Sequence, residues 1–545
     1  MKKSLIAILC YLSTGFALFA QTTEKPKLLV GIVVDQMRAE YLYRFRGNFG
    51  AGGFNRLMGE GFNSKNTHYN YVPTYTGPGH ASIYSGTTPR NHGIVANDWY
   101  SRDLKRTVYC AEDTSVRLVD NKGIASDKFD SFSRSPKNLL TTAFADELKL
   151  FTNSRSKVIG ISLKDRGAIF PAGHMADHAF WYNSHTGDFI SSSYYGEKLP
   201  DWLIEFNQRK VADSLLNLKW EPLLADEKYT NSNPDNSPYE KIYKGRKDSV
   251  FPYNLKKLRK ENGNFSLISE VPYGNNLLTQ LAYSAIKGEK LGKGPETDML
   301  TISFSSTDYV GHNFGIRAKE LEDTYIRLDR DMEALLSFLD KEIGKGNYLL
   351  FLTADHAGSD NPEFLNENNL PGGFYATHQL KKDIDQHLST KFKEQKYVSF
   401  SDGTQVYFDQ KLVGQNRELV EEAGAFLQNY EGVKEVFIPS VMSNSEDNRL
   451  ISLMSNGYNY NNSGDIILQF YSGWMGERRY GTTHGTGYIA DTHVPLLWYG
   501  WNIPHGETSQ PYAITQIVPT LSMILNIPLP DDADIQPISE LLKDK

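Results

Sequence analysis

A hydroxyl side chain at Thr76 has the local setting of a nucleophile. It is followed by the sequence Gly-Pro-Gly at residues 77–79, and proline is favoured in the first turn of a helix. Free backbone N–H groups at a helix N-terminus attract anions such as phosphate. Because a threonine hydroxyl is a weak nucleophile by itself, this interpretation requires an activating base or a metal ion.

Aspartates and histidines spread along the chain supply the residue types of such a metal site. With Thr76 they amount to three carboxylates, three imidazoles and one hydroxyl: Asp35, Thr76, Asp308, His312, Asp355, His356 and His484. Mixed carboxylate and imidazole ligation favours zinc over magnesium or calcium, which prefer oxygen ligands alone. The pattern therefore predicts a zinc site beside a nucleophilic hydroxyl.

Each candidate ligand also has an ordinary structural interpretation. Asp308 could cap a helix, His312 could be a loop residue and Asp355 could form a turn. Three carboxylates gathered in one crevice without cations would repel each other, however, so their convergence would imply bound metal. Four other histidines lack an equally clear position after a strand and are interpreted as structural or as supports for ligands: His68, His80, His92 and His493.

Four apolar runs predict the elements that position these residues. Each run leads to a candidate polar group: residues 28–34 to Asp35, 158–163 to Lys164, 299–304 to Asp308, and 348–353 to Asp355 and His356. Continuous apolar strands are typical of a parallel sheet covered on both faces. Ligands bind beyond the carboxyl ends of such strands. We therefore expect an α/β fold with a central, mostly parallel sheet, helices on both faces and one shared crevice.

Helices and two insertions complete the expected architecture. Apolar periodicity predicts helices at residues 139–150, 277–286, 321–343 and 514–525. A hairpin is predicted at 400–408, with its turn at Asp402-Gly403. Residues 167–275 and 360–470 interrupt the alternation of strands and helices, and we interpret both as insertions that cap the crevice of a single catalytic domain, 21–545. The alternative is a separate domain with its own core.

The N-terminus and the charge of the chain indicate its compartment. Lys2 and Lys3 precede an apolar run ending near Phe19, which predicts a cleaved signal peptide over residues 1–20 and a periplasmic or secreted protein. The alternative, a membrane anchor, requires a longer run than this one, and no later segment is apolar enough to span a bilayer. Cleavage leaves Cys110 as the single cysteine, so no intrachain disulfide can form. A net charge of −7 argues against a nucleic-acid scaffold.

The ordered motifs around these residues resemble the alkaline phosphatase superfamily, and most closely its bacterial PafA-type members with a threonine nucleophile. The resemblance runs through the Thr76 segment and the following stretches: GIVVDQMR at 31–38, SLKDRGA at 162–168, STDYVGH at 306–312, TADHAG at 353–358, GTTHGTG at 481–487 and VPLL at 494–497. It covers nearly the whole mature chain, whereas the two insertions contribute little to it. The sheet of this superfamily, with helices on both faces, agrees with the strand pattern.

The resemblance implies two zinc ions per chain and assigns a role to each site residue. One ion is bound by Asp308, His312 and His484. The second is bound by Asp35, Asp355 and His356, with Thr76 as the nucleophile beside it. Asn97, Lys164 and Arg166 match the residues that hold the phosphoryl oxygens. No ligand set for an additional magnesium ion is recognised, and the oligomeric state is left open.

The expected activity is hydrolysis of small phosphate monoesters through a phosphothreonine intermediate. Two zinc ions balance the three aspartates and a Thr76 alkoxide, so Lys164 and Arg166 provide two further charges that match a monoester dianion. The alternative is a nucleotide pyrophosphatase or phosphodiesterase, which would meet a singly charged diester. A sulfatase is disfavoured because its nucleophile position requires cysteine or serine. A non-catalytic metal- or glycan-binding module would not explain a threonine beside a complete ligand set.

Overall fold

A computed structural model describes residues 25–125, 133–441, 448–476 and 479–542. The predicted signal peptide, residues 1–20, lies outside the described residues. The strands are β1 (Leu28–Val34), β2 (Phe62–His68), β3 (Asp98–Ser101), β4 (Arg106–Tyr109), β5 (Leu118–Asp120), β6 (Gly123–Ile124), β7 (Val158–Ser162), β8 (His178–Asn183), β9 (Asp188–Ser192), β10 (Lys219–Trp220), β11 (Tyr253–Asn254), β12 (Asp298–Phe304), β13 (Tyr348–Thr353), β14 (Gly373–Tyr375), β15 (Val398–Ser401), β16 (Gln405–Phe408), β17 (Val433–Phe437), β18 (Ile466–Phe470), β19 (Trp474–Gly476), β20 (His493–Val494), β21 (Leu496–Gly500) and β22 (Gly506–Ala513).

The central sheet has a parallel core flanked by antiparallel strands, and β22 pairs in parallel with β2 at one edge. Strands β8, β7, β12, β1 and β13 are neighbours in that order, and every adjacent pair among them is parallel. Beyond β13 the sheet continues through the antiparallel strands β21 and β2, and beyond β8 through β9 and β5. Every residue of β1, β7, β12 and β13 is buried. Both faces of this core are therefore covered, as its continuous apolar sequence requires.

The α-helices are interspersed along the chain with the strands. They are α1 (Tyr41–Arg44), α2 (Phe54–Glu60), α3 (Thr76–Ser85), α4 (Pro89–His92), α5 (Phe144–Phe151), α6 (Asp165–Ala172), α7 (Asp201–Gln208), α8 (Val211–Leu215), α9 (Leu255–Leu258), α10 (Tyr273–Gly288), α11 (Ser306–Phe314), α12 (Lys319–Leu339), α13 (Pro362–Glu367), α14 (Thr377–Ser389), α15 (Gln410–Gln415), α16 (Glu418–Gln428), α17 (Arg449–Gly457), α18 (Ile489–Thr492) and α19 (Ile517–Leu525). Among the described residues, no helix combines the length and the apolar composition needed to cross a bilayer.

The predicted mostly parallel α/β sheet is confirmed, and the predicted helix boundaries shift for local reasons. Helix α5 begins at Phe144 rather than at residue 139, because the Asp146 carboxylate accepts a hydrogen bond of 2.8 Å from the backbone N–H of Ala143 and caps the helix there. The long helix predicted at 321–343 is regular to Leu339 and ends in a π-helical turn, Asp340–Gly344.

The two ranges interpreted as insertions differ in their relation to the central sheet. The first part of 167–275 extends that sheet, since β8 and β9 lie within it. By contrast, residues 360–470 contain a separate four-stranded sheet in the order β15, β16, β18, β17. Helices α14 and α16 pack on this small sheet around their own apolar cluster, which includes Ile384 and Leu468. Its hairpin β15–β16 turns at Asp402-Gly403, where the Asp402 carboxylate accepts from the backbone N–H of Thr404 at 2.8 Å.

Candidate active site

Four neighbouring parallel strands deliver the predicted polar residues to one edge of the sheet. Asp35 follows β1 directly, and Lys164 is the second residue after β7. Asp308 lies in the first turn of α11, just after β12, and Asp355 follows β13. Because β7, β12, β1 and β13 are adjacent, these side chains converge at their carboxyl ends, as expected for an open α/β sheet.

Three side chains form a group with the geometry of a cation site. Ligand atoms of Asp35, Asp355 and His356 all lie within 4.8 Å of one another, and all three residues are fully buried. His356 Nε2 is 3.4 Å from Asp35 Oδ1 and 3.6 Å from Asp355 Oδ2. These same three atoms have no hydrogen-bond partner among the described residues. Unpaired buried polar atoms are costly, so their convergence fits a divalent cation.

A second group adjoins the first and shares one residue with it. Asp308, His356 and His484 also have ligand atoms within 4.8 Å of one another. The rings of His356 and His484 are stacked with centroids 3.5 Å apart. His312 reaches this group through Asp308, with its Nε2 3.1 Å from Asp308 Oδ1. The geometry thus places His356 in both groups. The family resemblance instead assigns His312 to the ion held by Asp308 and His484, and His356 to the ion held by Asp35 and Asp355.

Backbone carbonyls fix the orientation of all three imidazoles. His312 Nδ1 donates to the carbonyl of Thr482 and His484 Nδ1 to that of Thr74, each at 2.8 Å. His356 Nδ1 donates to the carbonyl of Ala357 at 3.0 Å. Such bonds place the proton on Nδ1 and leave the lone pair of Nε2 for a ligand. The histidines are therefore oriented as metal ligands require.

Burial and crowding set the ionisation of the carboxylates. Burial, with the neighbouring charges of Asp308 and Asp355, raises the pKa of Asp35 well above its ordinary value. The pKa of Asp355 is raised to about 6, chiefly by burial. For Asp308, burial acts upward, but the charges of His312 and Lys164 outweigh it and hold the pKa well below the ordinary value. Burial lowers the pKa of His356 to about 3, so its imidazole is neutral.

Lys164 carries a positive charge into the centre of this cluster. Its buried ammonium donates at 2.6 Å to Asp35 Oδ2 and at 2.6 Å to Asp308 Oδ2. The ring of Tyr309 lies 5.0 Å from the same nitrogen, within the range of a cation–π contact. Lys164 thereby offsets part of the repulsion between two carboxylates. Its predicted role as a ligand of the phosphoryl oxygens stays a prediction.

Thr76 is the first residue of α3, and the helix start is pressed against the end of β13. Its backbone carbonyl accepts from His80 Nδ1 at 2.8 Å, and the same nitrogen lies 3.5 Å from Asp355 Oδ2. A Cβ atom on Gly79 would stand 2.4 Å from the carbonyl oxygen of Asp355, so only glycine permits this approach. The backbone N–H of Gly77 donates to Asn97 Oδ1 at 2.8 Å. The segment that carries Thr76 is thus held in place against Asn97 and Asp355.

Arg166, in the first turn of α6, is held by a polar network. Its Nη1 donates to the hydroxyl of Tyr109 at 3.0 Å, and that hydroxyl donates to Asp165. Asp165 also accepts from Arg134 Nε at 2.8 Å. The Nε of Arg166 has no partner among the described residues. The guanidinium therefore keeps free donor capacity for an anion.

Gln36 is a site residue that pattern reasoning did not single out. Its backbone N–H donates to Asp355 Oδ1 at 3.2 Å, and its side-chain amide donates to Asp308 Oδ1 at 2.7 Å. It adopts a left-handed backbone conformation, φ 62°, which is uncommon for a residue other than glycine. Gln36 therefore orients one carboxylate of each group. Its place next to Asp35 in the first motif was the only available signal.

Comparisons with known proteins identify the family of the chain and confirm its fold. Residues 29–495 match the family model described as type I phosphodiesterase / nucleotide pyrophosphatase. The chain is 42% identical over 535 residues to alkaline phosphatase PhoV of Synechococcus elongatus, covering 97% of this chain and 95% of that protein. It is 40% identical over 550 residues to alkaline phosphatase PafA of Elizabethkingia meningoseptica, covering 99% of each.

The crystal structure of wild-type PafA matches the fold with a TM-score of 0.89 and 41% identity, over 95% of this chain and 99% of that one. The predicted superfamily, fold and enzyme class are confirmed by these nearly full-length matches. The chain belongs to the type I phosphodiesterase / nucleotide pyrophosphatase family, within the alkaline phosphatase superfamily.

Proposed function

We propose that this protein is a zinc-dependent alkaline phosphatase that hydrolyses phosphate monoesters through a phosphothreonine at Thr76. The observation that carries the proposal is the group of three unpaired, buried polar atoms on Asp35, Asp355 and His356. This group lies against the N-terminus of α3, where Thr76 begins the helix. The alkaline phosphatases PhoV and PafA, aligned over nearly the whole chain, support the same activity.

The donor set fits two zinc ions. Asp35, Asp355 and His356 would hold the ion beside Thr76, while Asp308, His312 and His484 would hold the other. Zinc bound there would supply positive charge that lowers the pKa of the Thr76 hydroxyl and stabilises the departing ester oxygen.

The first chemical step belongs to Thr76. Its Oγ, whose proton passes to solvent, attacks phosphorus in line with the ester oxygen. The bond from phosphorus to that oxygen breaks as the bond to Oγ forms, and the departing oxygen takes up a proton from solvent and leaves as the alcohol. Asn97 and Arg166 hold the non-bridging oxygens, and the start of α3 contributes its positive dipole end. Lys164, between Asp35 and Asp308, offsets part of the repulsion between these carboxylates and adds a positive charge that attracts the phosphoryl group.

The second step regenerates Thr76. A water molecule attacks phosphorus from the side that the alcohol has left, and the bond between phosphorus and Oγ breaks. Inorganic phosphate is released, and the Thr76 oxygen recovers a proton. His80 is fully buried and donates a hydrogen bond to the Thr76 carbonyl. This contact keeps Thr76 in one position through both steps.

Hydrolysis of diesters is the second candidate function, because the matching family model is described as a phosphodiesterase and nucleotide pyrophosphatase. The two activities differ in the charge of the substrate. Lys164 and Arg166 together suit the dianion of a monoester, and a diester would leave one of the two charges unmatched. We therefore place monoesters first.

One assay distinguishes the two functions. The zinc-loaded protein is given a simple aryl phosphate monoester and, separately, its methyl diester, and kcat/KM is measured for each. We expect the monoester to be hydrolysed faster by one to two orders of magnitude, roughly the effect of one unmatched charged hydrogen bond. A preference for the diester would establish the phosphodiesterase instead.

We also propose that the protein acts after export, in the periplasm or outside the cell. The support is the pattern of residues 1–20, with Lys2 and Lys3 before an apolar run. N-terminal sequencing of the protein recovered from the periplasm would test this, with a first residue near Gln21 expected. Full-length protein retained in the cytoplasm would contradict it.

A further inference from the structure

A cleft between the active site and the small sheet of residues 360–470 has a consistent chemical character. It encloses about 520 Å³, including the solvent at its mouth. Three half-buried aromatic side chains line it, namely Tyr75, Tyr375 and Trp474. Thr404, Gln405 and Gln469 add neutral polar groups. None of the described residues that line the cleft is an aspartate, glutamate, lysine or arginine.

The cleft is continuous with the proposed catalytic residues at one end. Tyr75 directly precedes Thr76, and His484 lines the cleft as well. The rings of Tyr75 and His484 meet edge to face, with centroids 5.6 Å apart. A Cβ atom on Gly485 would stand 2.6 Å from the ring of Tyr75, so the glycine lets this ring lie against the backbone that carries His484.

The far wall of the cleft is closely packed. The indole of Trp474 packs against Gly373 and Gly432, where an added Cβ would stand 2.6 Å and 2.3 Å from its ring atoms. Tyr375 is stacked on Phe470, with centroids 3.8 Å apart and planes 8° from parallel. Both side chains also pack against the apolar cluster of the 360–470 insertion. Aromatic rings held in this way offer a preformed surface to another ring.

We propose that this cleft binds the leaving group of the substrate, and that the group it takes is an uncharged planar ring. The proposal rests on the function proposed above. In an in-line displacement the leaving group faces away from the Thr76 oxygen, toward the ligand set that includes His484. Since His484 lines the cleft, a ring attached to the departing oxygen extends between Tyr75 and the wall formed by Tyr375 and Trp474.

Two kinds of substrate present such a ring, and a matched pair tests each. Phenyl phosphate is compared with cyclohexyl phosphate, and adenosine 5′-monophosphate with ribose 5-phosphate. Intrinsic reactivity cancels when the ratio of kcat/KM within a pair is compared between wild type and variant. The ratio is kcat/KM for the substrate with the planar ring divided by kcat/KM for its partner without it. For the pair whose ring uses the cleft, Trp474→Ala and Tyr375→Leu should each lower this ratio by roughly three- to tenfold, the value of one aromatic contact.

Trp474→Phe, which keeps a ring, should retain most of the preference. Tyr460→Ala is the matched control, since Tyr460 belongs to the 360–470 insertion but is 82% exposed and does not line the cleft. Tyr375→Leu keeps the test open if Trp474→Ala does not fold. A fall in the kcat/KM ratio confined to the phenyl pair assigns the site to aryl esters, and a fall confined to the adenosine pair assigns it to nucleotides.

Binding of the neutral products separates this proposal from the activity. Ligand-observed NMR with phenol and with adenosine should show contact with the wild type that Trp474→Ala and Tyr375→Leu weaken. If no monoester is hydrolysed but this difference remains, the cleft stands and the phosphatase proposal fails. If monoesters are hydrolysed while both ratios and both product contacts are unchanged in Trp474→Ala and Tyr375→Leu, the cleft is not a leaving-group site.

Discussion

At the scale of single residues, the site concentrates unfavourable polar burial in a few atoms. Three buried atoms of Asp35, Asp355 and His356 lack partners among the described residues. An unsatisfied buried polar group costs about 1–3 kcal/mol. The fold therefore holds these side chains in positions that only a ligand can make favourable, which is the expected signature of a functional site.

Replacement of Thr76 should separate chemistry from the rest of the site. Thr76→Ala removes the nucleophilic oxygen but leaves the carboxylates and imidazoles in place, so kcat should fall far more than zinc content. Thr76→Ser, which keeps a hydroxyl, should retain much more activity. Acid quenching of the wild type with substrate, followed by mass spectrometry, should locate phosphate on Thr76. Phosphate trapped on another residue would reject this assignment.

Arg166 gives the cleaner test of monoester specificity. Arg166→Ala should lower kcat/KM for a monoester, with a loss of transition-state stabilisation of roughly 2–4 kcal/mol, the scale for one preorganised donor. The kcat/KM for the matched diester should fall much less. Lys164→Ala should lower kcat/KM for both the monoester and the diester, because Asp35 and Asp308 also lose the ammonium that they share. Zinc content, measured for both variants, serves as the control. Equal losses for the two esters in Arg166→Ala would show that Arg166 only positions the site.

At the scale of elements, one segment of the 167–275 insertion joins the two stretches that carry His312 and His484. The carbonyl of Tyr239 accepts from Gly481 at 2.7 Å, and the backbone N–H of Lys241 donates to Asn313 at 2.8 Å. Between them, Glu240 is buried and accepts from Ser249 Oγ at 2.9 Å. The segment therefore ties the end of α11 to the glycine-rich stretch before His484.

Glu240 should make the stability of this region depend on pH. Burial raises its pKa from 4.5 to about 8, so the folded protein keeps a proton that the unfolded chain releases. The stabilisation is complete below about pH 4.5 and is lost as the pH rises to about 8. The melting temperature of Glu240→Gln should consequently fall less than that of the wild type between about pH 5 and about pH 8. Parallel curves would indicate an ordinary pKa for Glu240.

The sequence predicts the elements that depend on local pattern and misses those that depend on distant contacts. The strands leading to Asp35 and Asp355 were located because a buried parallel strand is continuously apolar. Gln36 was missed because its role requires a left-handed backbone and partners more than 270 residues away in the chain. Likewise, no local pattern shows that Lys164 would lie on two carboxylates.

At the scale of the whole molecule, stability and activity should both depend on metal. Removing metal should abolish activity, and zinc should restore it better than magnesium. Zinc should also raise the melting temperature, because a ligand that binds only the folded state adds about 2.7 kcal/mol at a hundredfold excess over Kd. Elemental analysis should find about two zinc ions per chain. Full activity in protein shown to be metal-free would contradict the proposal.

A variant of one ligand provides the matched control for this experiment. His356 is shared by both groups of candidate ligands, so His356→Ala should greatly reduce the rise in melting temperature on adding zinc. Adding zinc should still stabilise Tyr460→Ala, since the Tyr460 side chain is exposed and belongs to neither group of candidate ligands. Equal stabilisation of His356→Ala and the wild type would place the zinc elsewhere.

The spacing of the site residues along the chain has a consequence for biosynthesis. The proposed ligands begin at Asp35 and end at His484, and adjacent sheet strands join segments made early and late. A nascent chain released before His484 would therefore carry Thr76, the proposed nucleophile, but only part of the proposed ligand set. Capture of the ion proposed for Asp308, His312 and His484 would then be one of the last events in maturation, whereas Asp35, Asp355 and His356 are complete earlier. Activity that needs both ions would therefore show that almost the entire polypeptide has been made and folded.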